Sequence, residues 1–557
     1  MNSGAENVER AASGLASPAS LLHRFFTSQP GASGRLLPRW IFLRALGLIY
    51  FSAFYSLAFQ IRGLIGPQGL LPADEYLKMF AASSLGVLRY WYAPTLLWIS
   101  SGSPMLMGLC WAGMIAALLV VLNLWPRGML VVCFVCYLSF TAAARDFSGY
   151  QSDSMLLEAG FLALFFSPGG LRPGLGRAAP PSLFSYFLLQ WEWFRIYFES
   201  GLVKLASGDP QWRNFTAMDE YYQNCPLPTW IGWYVQHLPH WFQAATVGAT
   251  LLMELVLVWM AWLPRRIRIA LFFFVTLWQV GVILTANYTF LNYLVLALGI
   301  LLVDDRFLQN VSRLWKSPAA TRSGEVSRTE QPAQPNAETA EAASPRSTLV
   351  RSYDAFKLAI VVVMLVWVFY ASTARLIWIL APHVPLPEAP VAALEPFRIA
   401  DQYGLFAVMT KQLYQIEFQG SDDGKNWTAY PFRYKPQALD KPPKIYAPYQ
   451  PRMDWNLWFA SLGSWREYPF VVNTEIRLLT GDRDVLSLFA GNPFPHAPPT
   501  EIRAVLWQYW FTTMSEKRAT GNWWRRQYIG LYAPALELQS DGNIRVVEMP
   551  DEHGTNQ

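Results

Sequence analysis

Apolar runs too long and too frequent for a water-soluble core constrain this chain most. Residues 270–284 and 291–303 are two such runs. At 1.5 Å rise per residue, about 20 residues cross a hydrocarbon core of roughly 30 Å. Charged residues make up 15% of the 557, against about 25% in a typical soluble domain. The chain therefore reads as a multi-pass membrane protein with the lipid bilayer as a partner. Its formal net charge of +5 is spread thinly, so nucleic acid is not an expected partner. The four cysteines, Cys110, Cys133, Cys136 and Cys225, all precede the C-terminal part, which must fold without disulfides. Cys133 and Cys136 have C-x-x-C spacing inside an apolar run with no βαβ context, so they read as packing residues.

Nine spans are expected, at 40–60, 105–124, 129–144, 153–166, 182–206, 241–263, 269–285, 288–303 and 355–381. With no cleavable signal pattern in front, the first span doubles as the targeting signal. The divisions that follow are a disordered cytosolic N-terminus (1–37), a transmembrane domain of eight spans (38–305) and a cytosolic linker (306–353). A ninth transmembrane helix (354–382), a β-rich domain (383–540) and a tail (541–557) complete the chain. Residues 317–347 are rich in Pro, Ala, Ser, Thr and Glu, too polar to offset chain entropy by burial, and read as disordered. Arg24, Arg35 and Arg39 precede the first span, Arg127 follows the second, Arg172 and Arg177 follow the fourth, and Arg265, Arg266 and Arg268 follow the sixth. Positive charge of this kind marks the cytosolic side. The N-terminus is thus expected in the cytosol and, after nine crossings, the C-terminal domain outside it.

The span at 182–206 carries Glu192, Arg195, Glu199 and Lys204. The first three fall at i, i+3 and i+7 on one stripe and can pair with each other. An ionisable group near the bilayer centre costs about 2.5–3.5 kcal/mol, so such groups face protein and mark either a site or a salt-bridged packing stripe. In the expected topology Asp146, Asp153, Lys204, Asn287 and Arg375 lie near the outer ends of five helices and could line one polar pocket, with Glu158 and Glu254 deeper. Lys204, Asp153 and Arg375 are the catalytic candidates of that pocket. His237 and His240 are interrupted by Pro239, so no metal site is read, and no nucleophile elbow, phosphate loop or dinucleotide fingerprint is present. No cofactor is expected.

After residue 385 the pattern changes to alternation. Residues 414–419 and 427–434 read as a hairpin around Ser421-Asp-Asp-Gly424, 454–462 and 471–479 as short helices, and 503–513 and 523–538 as long strands. The fold class is thus an α-helical multi-pass domain followed by a β-rich extracytoplasmic domain with short helices. Aromatic residues of the loop at 208–241 (Trp212, Trp230, Tyr234) and of the C-terminal domain (Tyr403, Phe406, Trp455, Trp458, beside Asp454) are the candidates for contact with a client. They serve equally well as the core of a cysteine-free domain. Asn214 and Asn426 occupy N-x-T sequons that would face outward.

Seven long stretches carry a resemblance. They are YQSDSMLLEAGFLALFFSPG (150–169), SGLVKLASGDPQW (200–212), the loop SGDPQWRNFTAMDEYYQNCPLPTWIGWYVQHLPHWF (207–242), QVGVILTANYTFLNYLVLALGILLVDD (279–305), DQYGLFAVMT (401–410), PYQPRMDWNLWFASL (448–462) and NPFPHAPPTEIRAVLWQYWFTT (492–513). In this order they resemble the lipase maturation factor family, with Ser152 where a Trp is expected. The resemblance implies a non-catalytic factor of the endoplasmic reticulum membrane that helps secreted lipases fold and assemble into active dimers. For a bacterial member it implies the inner membrane and a secreted client that need not be a lipase. The membrane half also resembles, more loosely, the vitamin K-dependent γ-carboxylase family around Lys204, Asp209 and Trp212. That likeness implies an alternative, an intramembrane enzyme with Lys204 as general base.

Overall fold

The computed structural model describes residues 25–27, 34–315 and 348–551; the expected disordered stretch 317–347 lies outside them, as does most of 1–37. Each of the nine apolar segments is helical. They are α1 (Leu36–Ala58), α2 (Ser103–Val121), α3 (Pro126–Thr141), α4 (Gln151–Phe166), α5 (Leu183–Ala206), α6 (His240–Leu255), α7 (Arg265–Thr285), α8 (Leu291–Gly299) and α9 (Thr348–Leu380). Short 3₁₀ segments extend α6 over Leu257–Trp262 and α8 over Ile300–Leu302. Among the described residues five helices are long and apolar enough to cross a membrane: α1, α2, α6 with its extension, α7 and α9. The remaining four differ for identifiable reasons. α3, α4 and α8 are short, and buried acids in α4 and buried acids and bases in α5 lower their apolarity.

α5 is the hub of the bundle, packed against α4, α6, α8 and α9. Buried residues occupy every side of it, so its charges meet protein. α7 and α9, in contrast, leave most of their apolar surface uncovered, as lipid-facing helices do. Ser182 starts α5 by accepting a hydrogen bond from the Ser185 N–H at 3.2 Å.

At one end of the bundle the arginine-bearing connections meet. Arg39 donates to the carbonyls of Leu175 and Gly176 (both 2.9 Å) and of Ala179 (2.7 Å). Asp305 accepts from Leu37 N at 2.8 Å, and Arg265 pairs with Asp304. The C-terminal half caps the opposite end.

That half is an antiparallel sheet of six strands in the order β2-β1-β3-β5-β6, with β4 also paired to β3. The strands are β1 (Leu413–Ser421), β2 (Thr428–Ala429), β3 (Glu501–Phe511), β4 (Trp524–Leu531), β5 (Ala535–Leu538) and β6 (Ile544–Glu548). Helices α10 (Arg452–Ala460) and α11 (Phe470–Leu479) pack against β1 and β3. Three expectations need correction. The return strand at 427–434 reaches only Ala429, because Pro431 has no N–H to donate to the ladder. The strand at 523–538 is two, β4 and β5, separated at Tyr532–Pro534 where another proline falls. The sheet also runs past residue 540: Asp541 accepts from Asn543 N (2.9 Å), Gly542 takes a φ of +84°, and the turn folds β6 back on β5.

Candidate functional site: interior charges under an aromatic cleft

The charged stripe of α5 holds the strand of chain that leads into the sheet. Arg195 pairs with Glu158 of α4, lies 3.7 Å from Glu199, and donates to the Asp401 carbonyl at 2.6 Å. Glu158 accepts from the Tyr403 hydroxyl at 2.6 Å, and Glu199 accepts from the Tyr403 N–H at 2.6 Å. The next residues are fixed in turn, Gly404 N–H to Gln151 at 3.0 Å and Leu405 N–H to Ser200 at 3.3 Å. Trp212 donates to the Phe406 carbonyl at 3.1 Å, and the Met409 N–H donates to Asp209 at 2.7 Å. The expected mutual pairing of the stripe therefore holds only for Arg195 with Glu199. Glu192 is buried with neither carboxylate oxygen hydrogen-bonded.

A second connection lies beside the first. Arg452, at the start of α10, is fully buried and grips Asp153 of α4 with both terminal nitrogens, at 2.7 and 2.9 Å. It also donates to the Phe147 carbonyl at 2.6 Å and to the Tyr137 oxygen at 3.0 Å. The Tyr137 hydroxyl completes the set by donating to Asp153 at 2.6 Å. Gln60, just after α1, accepts from the Arg452 N–H at 2.7 Å and donates to the Gln450 carbonyl at 2.9 Å. Asn287, between α7 and α8, accepts from Tyr446 and Ala447 and donates to Lys444 at 2.8 Å. Bidentate pairing of this kind offsets much of an ion pair's desolvation; the Arg452 Nε–H is the one side-chain donor of this arginine left without a partner.

The catalytic candidates do not share a pocket. Asp153 goes to Arg452. Lys204 goes to Glu254 of α6 at 2.8 and 2.9 Å, with Trp212 stacked 5.2 Å from its ammonium. Arg375 lies 4.0 Å from Glu395. These three do not converge because each has its own partner, which helix spacing alone does not reveal; Asp146 keeps a buried Oδ2 without a hydrogen-bond partner. Gly201 allows the Lys204 pair: a Cβ there would fall 2.9 Å from that of Glu254, so α5 and α6 approach closely at this turn. The two histidines also diverge, His237 to the Trp233 and Thr512 carbonyls and His240 to Asp219.

The client-contact candidates divide by burial. Trp212, Tyr403, Asp454, Trp455 and Trp458 are buried, and Trp230 and Tyr234 are 45% and 46% exposed. Those two form a T-shaped pair, and Tyr234 stands 6.2 Å from Trp523. Phe406, Trp455 and Trp458 share a mostly apolar cleft of about 330 Å³, with Tyr150, Tyr288, Thr289 and Phe459 among its other walls. Asp454 is instead a backbone anchor, accepting from Tyr434 N and Lys435 N at 3.4 and 3.2 Å.

Arg452, Asn287 as a backbone clamp, Gln60 and Gln151 are the functional residues that pattern reading misses. An arginine opening a helix rich in Trp, Leu and Phe was the available signal for Arg452.

A helical bundle that uses its interior charges to bind its own antiparallel domain defines an integral membrane protein with a large aqueous part. The particular group follows from comparison with known proteins. The family model described as the lipase maturation factor transmembrane domain matches residues 37–310, and that of the lipase maturation factor C-terminal domain matches 399–534. Lipase maturation factor 2 of Homo sapiens is 32% identical, over 91% of this chain and 83% of the relative. Lipase maturation factor 1 of Mus musculus is 31% identical, over 90% of this chain and 88% of the relative. The chain belongs to the lipase maturation factor family. No solved structure matches it.

Proposed function

We propose that the chain is a membrane-anchored maturation factor for a secreted client, a lipase by its family, and that it works by holding the client without chemistry of its own. The supporting observation is the destination of its ionisable groups. Asp153, Glu158, Arg195 and Glu199 bind the C-terminal half, and Lys204 binds Glu254. A catalytic acid or base must reach a reacting atom, and each of these groups already has a partner. The N-terminus is cytosolic in this reading and the C-terminal half faces the lumen, or the periplasm in a bacterium. The gathering of arginine-bearing connections at one end supports that orientation. Client contact falls to the exposed pair Trp230 and Tyr234 beside Trp523, since exposed aromatic clusters supply the anchors of protein interfaces.

Cells lacking the factor, complemented with variants, test this through the specific activity of secreted lipase. Trp230→Ala with Tyr234→Ala is expected to lower that activity at least fivefold at unchanged protein level. Lys204→Met with Glu254→Gln, which removes the pair without stranding a charge, is expected to keep it. Loss of activity in a normally inserted Lys204→Met/Glu254→Gln protein would establish the enzymatic alternative instead.

A further inference from the structure

The aromatic cleft between the two halves has properties that contact with a folding client does not explain. Its walls come from the turn before α4 (Tyr150), the connection between α7 and α8 (Tyr288, Thr289), the segment after Tyr403 (Phe406), and α10 (Trp455, Trp458). No side chain lining it is charged. Three wall residues have buried polar groups without any hydrogen-bond partner: the indole N–H of Trp455, 7% exposed, the hydroxyl of Thr289, 3% exposed, and the hydroxyl of Tyr288, 5% exposed. A buried donor left unpaired costs about 1–3 kcal/mol, so three in one wall ask for an acceptor. Thr289 and Phe406 also hold left-handed backbone, with φ of +54° and +58°. This is an outlier conformation for a β-branched or bulky residue, of the kind that collects at ligand sites.

We propose that this cleft binds a single acyl chain through its carbonyl, with the chain lying among the aromatic rings and the carbonyl oxygen facing Trp455 and Thr289. Three features select this occupant. The cleft opens at the level where α4 and α8 begin, which is the level of a membrane–water boundary if those helices are embedded. At about 30 Å³ per water- or methylene-sized group, its volume admits on the order of ten carbons. An extended peptide would bring a donor with every acceptor, whereas an acyl chain brings acceptor oxygen alone, which suits three unpaired wall groups that can all donate. Behind Phe406 and Tyr288 a smaller cavity of about 80 Å³, lined by Lys204, Glu254 and Gln279, shares those two rings as a wall. The Phe406 and Tyr288 rings lie 4.8 Å apart and close the cleft from the charged pair.

The test uses the full-length protein in lipid nanodiscs, with tritiated decanoate and 1-decanoyl-lysophosphatidylcholine as probes. Saturable binding near one chain per protein is expected for at least one probe, and the preferred probe distinguishes a free acid from a lysolipid source. Trp455→Phe keeps the ring, removes the donor and is expected to weaken binding about tenfold. Ala407→Trp fills the cleft and is expected to abolish binding. A melting temperature within about 3 °C of wild type shows that each variant is folded. Uptake that never saturates, uptake equal in wild type and Trp455→Phe, or displacement only by a capped apolar peptide would each overturn the assignment.

Discussion

The Arg452 side chain makes four hydrogen bonds to the membrane half. Replacing it with Met leaves the Asp153 carboxylate buried with only the Tyr137 hydroxyl, and breaking a buried pair costs about 3–5 kcal/mol. Arg452→Met is therefore expected to lower the thermal midpoint in detergent by 10 °C or more, with Asp153→Leu/Arg452→Met recovering part of it, as tryptophan fluorescence would record. A second residue-scale effect concerns Lys435 and Asp454, both fully buried in the C-terminal half. Burial pushes Lys435 down from 10.5 to about 7, opposed by the charges of Asp454 and Glu417. Burial pushes Asp454 up from 3.8 to about 6, opposed by Lys435. Between pH 7 and 10.5 the unfolded chain holds the lysine proton and the folded one does not, so stability rises with pH. Between pH 3.8 and 6 the folded chain holds the extra proton on Asp454, so stability falls as pH rises. The pair thus contributes a stability minimum between about pH 6 and 7. Lys435→Met is expected to flatten the alkaline limb of a melting-temperature profile, and an unchanged limb would show that the lysine is not its cause.

Among elements, α5 shows why charge survives inside a membrane bundle: it is surrounded by α4, α6, α8 and α9, so its stripe never meets lipid. Its contact with α6 depends on the small residue Gly201. Gly201→Val is expected to separate the helices, lengthen the Lys204–Glu254 contact and cost about 1–3 kcal/mol, measurable as a drop in melting temperature and faster cleavage of the loop Gly208–Trp241. Sequence pattern located eight of the nine helices to within about four residues, because runs of Leu, Val, Phe and Ala report burial locally; α9 begins seven residues before its expected start, in the polar stretch from Thr348. It also marked Glu158, Glu192, Arg195, Glu199 and Glu254 as groups that must face protein. Their partners were not legible. Tyr403 lies 245 residues from Glu158 and Arg452 lies 299 from Asp153, and no periodicity spans such separations. The aromatic clusters were ambiguous for a related reason: Trp455 and Trp230 look alike in sequence, and only the packing of α10 against the bundle buries the first.

For the whole molecule the main consequence is that the two parts complete each other's hydrogen bonding. Backbone groups from Asp401 to Thr410 and from Lys444 to Arg452 are satisfied by side chains of the membrane half. The orientation proposed above is open to a direct check, since Asn426 is exposed at the tip of the β1–β2 hairpin within an N-x-T sequon. Synthesis into sealed microsomes is expected to give a glycosylated band that Asn426→Gln lowers by one glycan; an unglycosylated Asn426 in properly inserted chains would reverse the orientation. The gap of 299 residues between Asp153 and Arg452 also carries a timing. At about 5–20 residues per second, a ribosome leaves the carboxyl of Asp153 waiting roughly 15–60 s for its counter-ion. During that interval the nascent bundle carries an acid whose side-chain partner is the Tyr137 hydroxyl alone. A message cut short before codon 452 is expected to yield a bundle in which that acid never meets its counter-ion.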